Sequence, residues 1–122
     1  MLSRILVATD GSVTAAAAVD EAVEVASALG ASLTLLSAGP GAQAVVDAEA
    51  DRLGGSGLSI ETLAVDGDPA AAIVGTAASG GFDLVVVGNA GMTGPRQAFT
   101  LGSVPNKVSH SVSCSLLIVR TT

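Results

Sequence analysis

Leu84-Val85-Val86-Val87-Gly88-Asn89-Ala90-Gly91 joins four aliphatic residues to a glycine cluster, and ten residues later the chain reads Gly102-Ser103. An unbroken apolar run bounded by glycine-containing sequence reads as a strand covered on both faces. Gly102-Ser103 opens a segment, Val104 to His110, that reads as a helix. Glycines at both places let a backbone approach something closely. A helix start also presents free N–H groups and the positive end of a helix dipole. Together these features predict a phosphate cradle at the end of a central strand.

Outward from this point, strands and helices alternate. Ile5 to Ala8 is a short apolar run that ends at Thr9-Asp10-Gly11-Ser12, and Ser12 is placed to cap a helix. Val19, Ala22, Val23, Ala26 and Leu29 follow at helical spacing, and Gly30 stops them. Ser32 to Ser37 reads as a second strand, Gly39-Pro40-Gly41 as a turn, and Ala42 to Leu53 as a helix. Gly54 to Gly57 breaks the pattern. Leu58 to Val65 alternates in part, as a less buried third strand would. Asp68 and Pro69 mark a helix start, with Ala70, Ile73, Val74 and Ala77 on its inner face and Gly80-Gly81 after it. Leu116 to Val119 is the fifth strand.

Strict alternation predicts one α/β domain over residues 1–122, a three-layer sandwich around a five-stranded parallel sheet. Right-handed crossovers favour the strand order 3-2-1-4-5. Strands 1 and 4 are then neighbours, the winding reverses between them, and ligands bind at their carboxyl ends. Asp10 and Gly88 both fall there.

Composition narrows the function. Aliphatic residues dominate, and Phe82 and Phe99 are the only aromatics. The net charge is −6, and Arg4, Arg52, Arg96, Lys107 and Arg120 are scattered along the chain. Nucleic-acid binding wants clustered cations, so DNA and RNA are excluded as partners. A single nucleotide remains possible, because backbone N–H groups supply a local positive field. One cysteine, Cys114, allows no internal disulfide. There is no signal-peptide pattern and no run of about twenty apolar residues, so the expectation is a cytoplasmic protein without a membrane span. The single histidine, His110, and Cys114 give neither a Cys–His pair nor a zinc site.

Five ordered segments resemble the universal stress protein family. They are Ile5-Leu6-Val7-Ala8-Thr9-Asp10-Gly11-Ser12, Val65-Asp66-Gly67-Asp68-Pro69, Asp83 to Gly91, Leu101 to Ser109, and Cys114 to Val119. The resemblance implies an adenine nucleotide, ATP or cyclic AMP, with Mg²⁺ as an optional companion. By position, Thr9 and Asp10 lie near the adenosine and Ala38 at an adenine-contacting backbone position. Gly88, Gly91, Gly102, Ser103 and Val104 correspond to the ribose and phosphate loop, and Val87 is a further nucleotide-binding position. It also implies a homodimer through Leu116 to Val119, which would cover an apolar sheet edge. The family pattern is Gly-x2-Gly-x9-Gly-Ser/Thr, and this chain has ten residues where the pattern has nine. Either the loop bulges or the glycines no longer converge. The segment between strands 2 and 3 is also short, which leaves the adenine side open.

The leading expectation is therefore a stress-response sensor or regulator that binds the nucleotide without turning it over. Weak ATP hydrolysis or autophosphorylation is the enzymatic alternative. Phosphoryl transfer needs positioned cations, and Asp10 and Arg96 form a thin inventory for it. A ligand-free interaction protein with the same fold is the third reading.

Overall fold

Short β-forming runs and alanine-rich helices alternate along this chain, and a computed structural model, which describes residues 2–89 and 101–121, shows how they assemble. The elements in order are β1 (Arg4–Ala8), α1 (Val13–Leu29), β2 (Ser32–Ala38), α2 (Ala42–Arg52), β3 (Ile60–Val65), α3 (Pro69–Ser79), β4 (Leu84–Gly88), α4 (Ser103–Ser111) and β5 (Ser115–Val119). The sheet is five-stranded and parallel, in the order β3-β2-β1-β4-β5. Both the alternation and the strand order agree with the expectation from sequence. β3 begins at Ile60, two residues later than the hydrophobic pattern suggests. Half-buried and exposed residues alternate over its first four positions, and none of its residues is fully buried, as suits an edge strand.

Local chemistry fixes the helix ends. The Ser12 hydroxyl accepts the Ala15 N–H at 3.1 Å, and the Asp68 carboxylate accepts the Ala71 N–H at 3.0 Å. Each satisfies a donor that the first helical turn cannot. Gly30 closes α1 in the left-handed conformation at φ 65°, where a side chain would be strained.

Strand parity then divides the core in two. Ile5, Val7, Leu33, Leu35, Leu84 and Val86 face α1 and α2, against Ala18, Val19, Ala22, Ala26 and Val46. Leu6, Leu36, Val85 and Val87 face the other way, against Ala70, Ile73 and Ala77 of α3 and Val108 of α4. The small side chains on α1 and α3 present little bulk toward the sheet. The core is therefore aliphatic on the α1 and α2 side and, apart from Phe82, on the other side as well. Leu6 and Val7 are fully buried on opposite faces. A one-residue slip of β1 would exchange the two faces, so the register is strongly specified.

The amino ends of β1 and β4 are tied by one carboxylate. Asp83 accepts the Ser3 N–H at 3.0 Å, the Ser3 hydroxyl at 3.0 Å and the Arg4 N–H at 2.9 Å. These bonds favour the charged form, so the Asp83 carboxyl titrates below its ordinary range, the Ser3 N–H having the largest effect. A depressed folded-state value gives stability that is present above the unfolded value and lost as the pH falls through the folded one. Asp83→Asn is expected to lower the melting temperature at neutral pH and to flatten the acid limb of the stability curve. Thermal melts of both proteins from pH 7 downward check this; an unchanged acid limb would contradict it.

Candidate functional site

At the carboxyl end of the sheet, β1 leads to α1 on one face, and the chain beyond β4 leads to α4 on the other. A cavity of about 370 Å³ opens at this divide, in the usual size range for a small-molecule site. Ala8, Thr9 and Asp10 from the end of β1, and Val87 and Gly88 from the end of β4, form its floor. Gly102, Ser103 and Val104 at the start of α4 form one wall, and Leu36, Ser37, Ala38 and Pro40 around the end of β2 form another.

Eight of the nine positions singled out from sequence thus share one cavity: Thr9, Asp10, Ala38, Val87, Gly88, Gly102, Ser103 and Val104. Gly91 lies outside the described residues, as does Arg96. The structure also brings in residues that the sequence did not single out. Val45 of α2 and Ile73 of α3 face the cavity, and so does Pro69, which reads in sequence only as a helix start. Periodicity marks Ile73 as core-facing, and the structure shows that it belongs to the core and lines the cavity as well.

The polar groups at the floor are partly engaged already. The Asp10 carboxylate accepts the Ser12 N–H at 2.9 Å through Oδ1, the local turn bond that aspartate commonly makes. Thr9 is buried; its hydroxyl accepts the Gly11 N–H at 3.1 Å, and its own N–H donates to the Leu36 carbonyl at 2.9 Å. Asp10 is exposed, and it is the one ionisable side chain among the described residues lining the cavity.

The start of α4 differs from those of α1 and α3. Its N-cap is Gly102, which has no side chain to cap the helix. The Gly102 N–H donates to the Asn89 carbonyl at 2.7 Å. Pro105, at the third helical position, has no N–H at all. The Asn106 N–H returns to the Gly102 carbonyl at 3.0 Å in the ordinary helical way. Two donors of the first turn remain, the N–H groups of Ser103 and Val104. Among the described residues no group accepts from either, and both residues line the cavity. The site therefore offers two adjacent backbone donors at the positive end of a helix dipole.

Gly88 lines the cavity with its backbone. A Cβ built there would meet the Thr121 methyl at 3.4 Å and the Ala18 Cβ at 3.9 Å, on the α1 side of the sheet. Lys107 and His110 belong to α4 but do not line the cavity. Burial raises the Cys114 thiol above its ordinary range, aided by the Asp83 charge, which disfavours a reactive thiolate. Among the described residues no three His, Cys, Asp or Glu side chains gather as a metal site. No helix among them is long and apolar enough to cross a membrane.

Gly11 holds the turn between the β1 end and α1 at φ +82°, and a Cβ on it would lie 3.3 Å from a Val45 methyl. Gly11→Ala combines backbone strain with this contact and is expected to cost about 1–3 kcal/mol of stability. Chemical denaturation checks this, and a variant as stable as the parent would contradict it.

Comparison with known proteins gives the family and the fold. The model described as "Universal stress protein family" matches residues 1–42 and 37–120. Universal stress protein YxiE of Bacillus subtilis is 30% identical over 149 residues, an alignment covering 98% of this chain and all of the relative. A crystal structure of a universal stress protein in complex with cAMP superposes with a TM-score of 0.82 at 35% identity, covering 98% of each chain. Protein Rv1636 from Mycobacterium tuberculosis superposes at 0.68 with 34% identity, covering 98% of this chain and 96% of that one. The two family matches overlap at the end of β2 and the Gly39-Pro40-Gly41 turn.

Proposed function

The chain belongs to the universal stress protein family, and on that premise we propose that it binds an adenine nucleotide in the cavity at the carboxyl ends of β1 and β4. The observation that carries this reading is the pair of N–H groups on Ser103 and Val104, unengaged among the described residues, on residues that line a cavity with Thr9, Asp10 and Ala38. Phosphate sits on the two donors. The base lies toward Ala38 and Val45, and the second oxygen of Asp10 takes a ribose hydroxyl. The protein acts as a stress-response sensor or regulator that holds the nucleotide and does not consume it.

The donor inventory among the described residues favours cyclic AMP. A cyclic monophosphate carries one negative charge, which two backbone donors and a helix dipole can match. ATP carries about four charges, and the one charged side chain among the described lining residues is Asp10, which repels them. The solved relative in complex with cAMP supports the same choice. ATP is the second reading, because Gly88, Gly91, Gly102 and Ser103 follow the family's ATP pattern with one residue more before Gly102. Magnesium would be a signature of that reading. Mg²⁺ is commonly held by one or two carboxylates together with substrate phosphates, and Asp10 is the carboxylate present.

Calorimetric titration of nucleotide-free protein with cyclic AMP, and with ATP with and without Mg²⁺, tests the reading. The expected result is saturable binding of one cyclic AMP per chain, tighter than ATP. Ser103→Pro supplies the control. Proline is well tolerated at the first helical position, and Gly102 at φ −64° and ψ 169° already has the extended backbone that precedes proline. The substitution removes one of the two donors while keeping the helix, and a loss of about ten-fold in affinity is expected. Unchanged affinity would remove the phosphate from α4.

β5 is an edge strand with Leu116, Leu117 and Ile118 half-buried. An apolar edge of this kind is covered when two copies pair along it. Sedimentation at micromolar concentration should therefore give a homodimer; a monomer across that range would contradict the pairing.

A further inference from the structure

Asn89 is fully buried, and it connects three parts of the chain. Its N–H donates to the Val119 carbonyl at 2.9 Å, continuing the ladder between β4 and β5. Its side-chain Oδ1 accepts the Thr121 N–H at 2.7 Å and faces the Thr121 hydroxyl at 3.3 Å. Its carbonyl accepts the Gly102 N–H at 2.7 Å, at the cap of α4. One residue thus holds the segment beyond β5 with its side chain and the start of α4 with its backbone.

We propose that Asn89 is a positioning residue that sets the Ser103 and Val104 donors from the segment following β5, so that the state of this sheet edge is felt at the phosphate position. This rests on the nucleotide reading above. The physical ground is rigidity. A buried amide oxygen with two converging donors fixes the Asn89 side chain, because releasing it would leave the Thr121 N–H without its acceptor. A fixed side chain holds the Asn89 peptide, and that peptide is where α4 is attached. Asn89 itself does not line the cavity, so among the described residues its route to a ligand runs through α4.

The test uses cyclic AMP and adenosine on the full chain. Adenosine has no phosphate and does not engage α4. Asn89→Leu keeps the bulk and removes the acceptor. Cyclic AMP affinity is expected to fall about ten-fold, while adenosine affinity changes by less than about two-fold. Exchange of the Gly102 amide in ligand-free protein should quicken, with the β1 amides unchanged. Asn89→Asp retains an acceptor for Thr121 and should restore Gly102 protection. Thr121→Pro, at the surface end of the contact, removes the N–H from the other side and should shift the same readouts in the same direction. It carries the test if Asn89→Leu does not fold.

Equal losses for cyclic AMP and adenosine, or an unchanged Gly102 amide, would overturn the proposal. A parent protein that binds neither ligand would overturn the nucleotide reading instead. Quickened Gly102 exchange in the variants would then still uphold the role of Asn89 in placing α4, and unchanged exchange would end both.

Discussion

Ile5 pairs with Leu84, Leu6 with Val85 and Val7 with Val86, and on either side of that seam the chain winds in opposite directions. β1 is followed by β2 and then β3 toward one edge, while β4 is followed by β5 toward the other. The elements that leave the carboxyl ends of β1 and β4 must therefore part, one to each face of the sheet. Among the described residues no backbone covers the strand ends between them, and the cavity is the space that results. Its contents follow from the same pairing. Thr9 and Asp10 are the first residues free of β1, and Gly88 is the last residue of β4. A fold with another strand order could carry the same glycines and aspartate and bring none of them together.

The seam holds because both of its faces are dry. Leu6 and Val85 pack toward α3 and α4, and Ile5, Val7 and Val86 toward α1 and α2, each with essentially no exposure. Apolar surface removed from water stabilises by roughly 25 cal/mol per Å², and a strand buried on both faces gains this twice. The polar ties are placed where such burial ends. At the amino side, Asp83 collects three donors from Ser3 and Arg4. At the carboxyl side, Asn89 collects Thr121 and Gly102. At the far edge of α2, Arg52 bridges Glu49 at 2.8 Å and Asp20 at 2.7 Å. That guanidinium is well exposed, so the network contributes modestly.

Sequence made the local part of this architecture legible. Ser12, Asp68-Pro69 and Gly30 act within one turn of themselves, so residue type and position suffice to read them. The strand order followed from alternation and crossover handedness, which do not depend on particular side chains. The cavity position came from that order, which also placed Asp10 and Gly88 there, and the family pattern added Thr9, Ala38 and Val104. What stayed hidden is non-local. Asp83 acts on Ser3, eighty positions away, and Asn89 acts on Thr121, thirty-two positions away. Asn89 stands inside the stretch that decides the fold, yet there it reads only as the residue between Gly88 and Ala90. Val45 and Ile73 were legible as apolar helix positions, but only the packing shows that they reach the cavity.

The chain carries a net charge of −6, so a site for an anion needs a local source of positive potential. Side chains do not provide it among the described lining residues; the backbone does. In α1 and α3 the first-turn donors are partly quenched by Ser12 and Asp68. α4 has glycine at its cap and proline at its third position, and the cap's own N–H is held by Asn89. Each of these features removes a competitor for the space in front of Ser103 and Val104 or fixes the helix that carries them. Backbone donors cannot swing toward solvent as a lysine can, so they need no reordering when an anion arrives. Their weakness is a fixed and small number. Among the described residues the first turn of α4 leaves two N–H groups, and two suit one phosphate group.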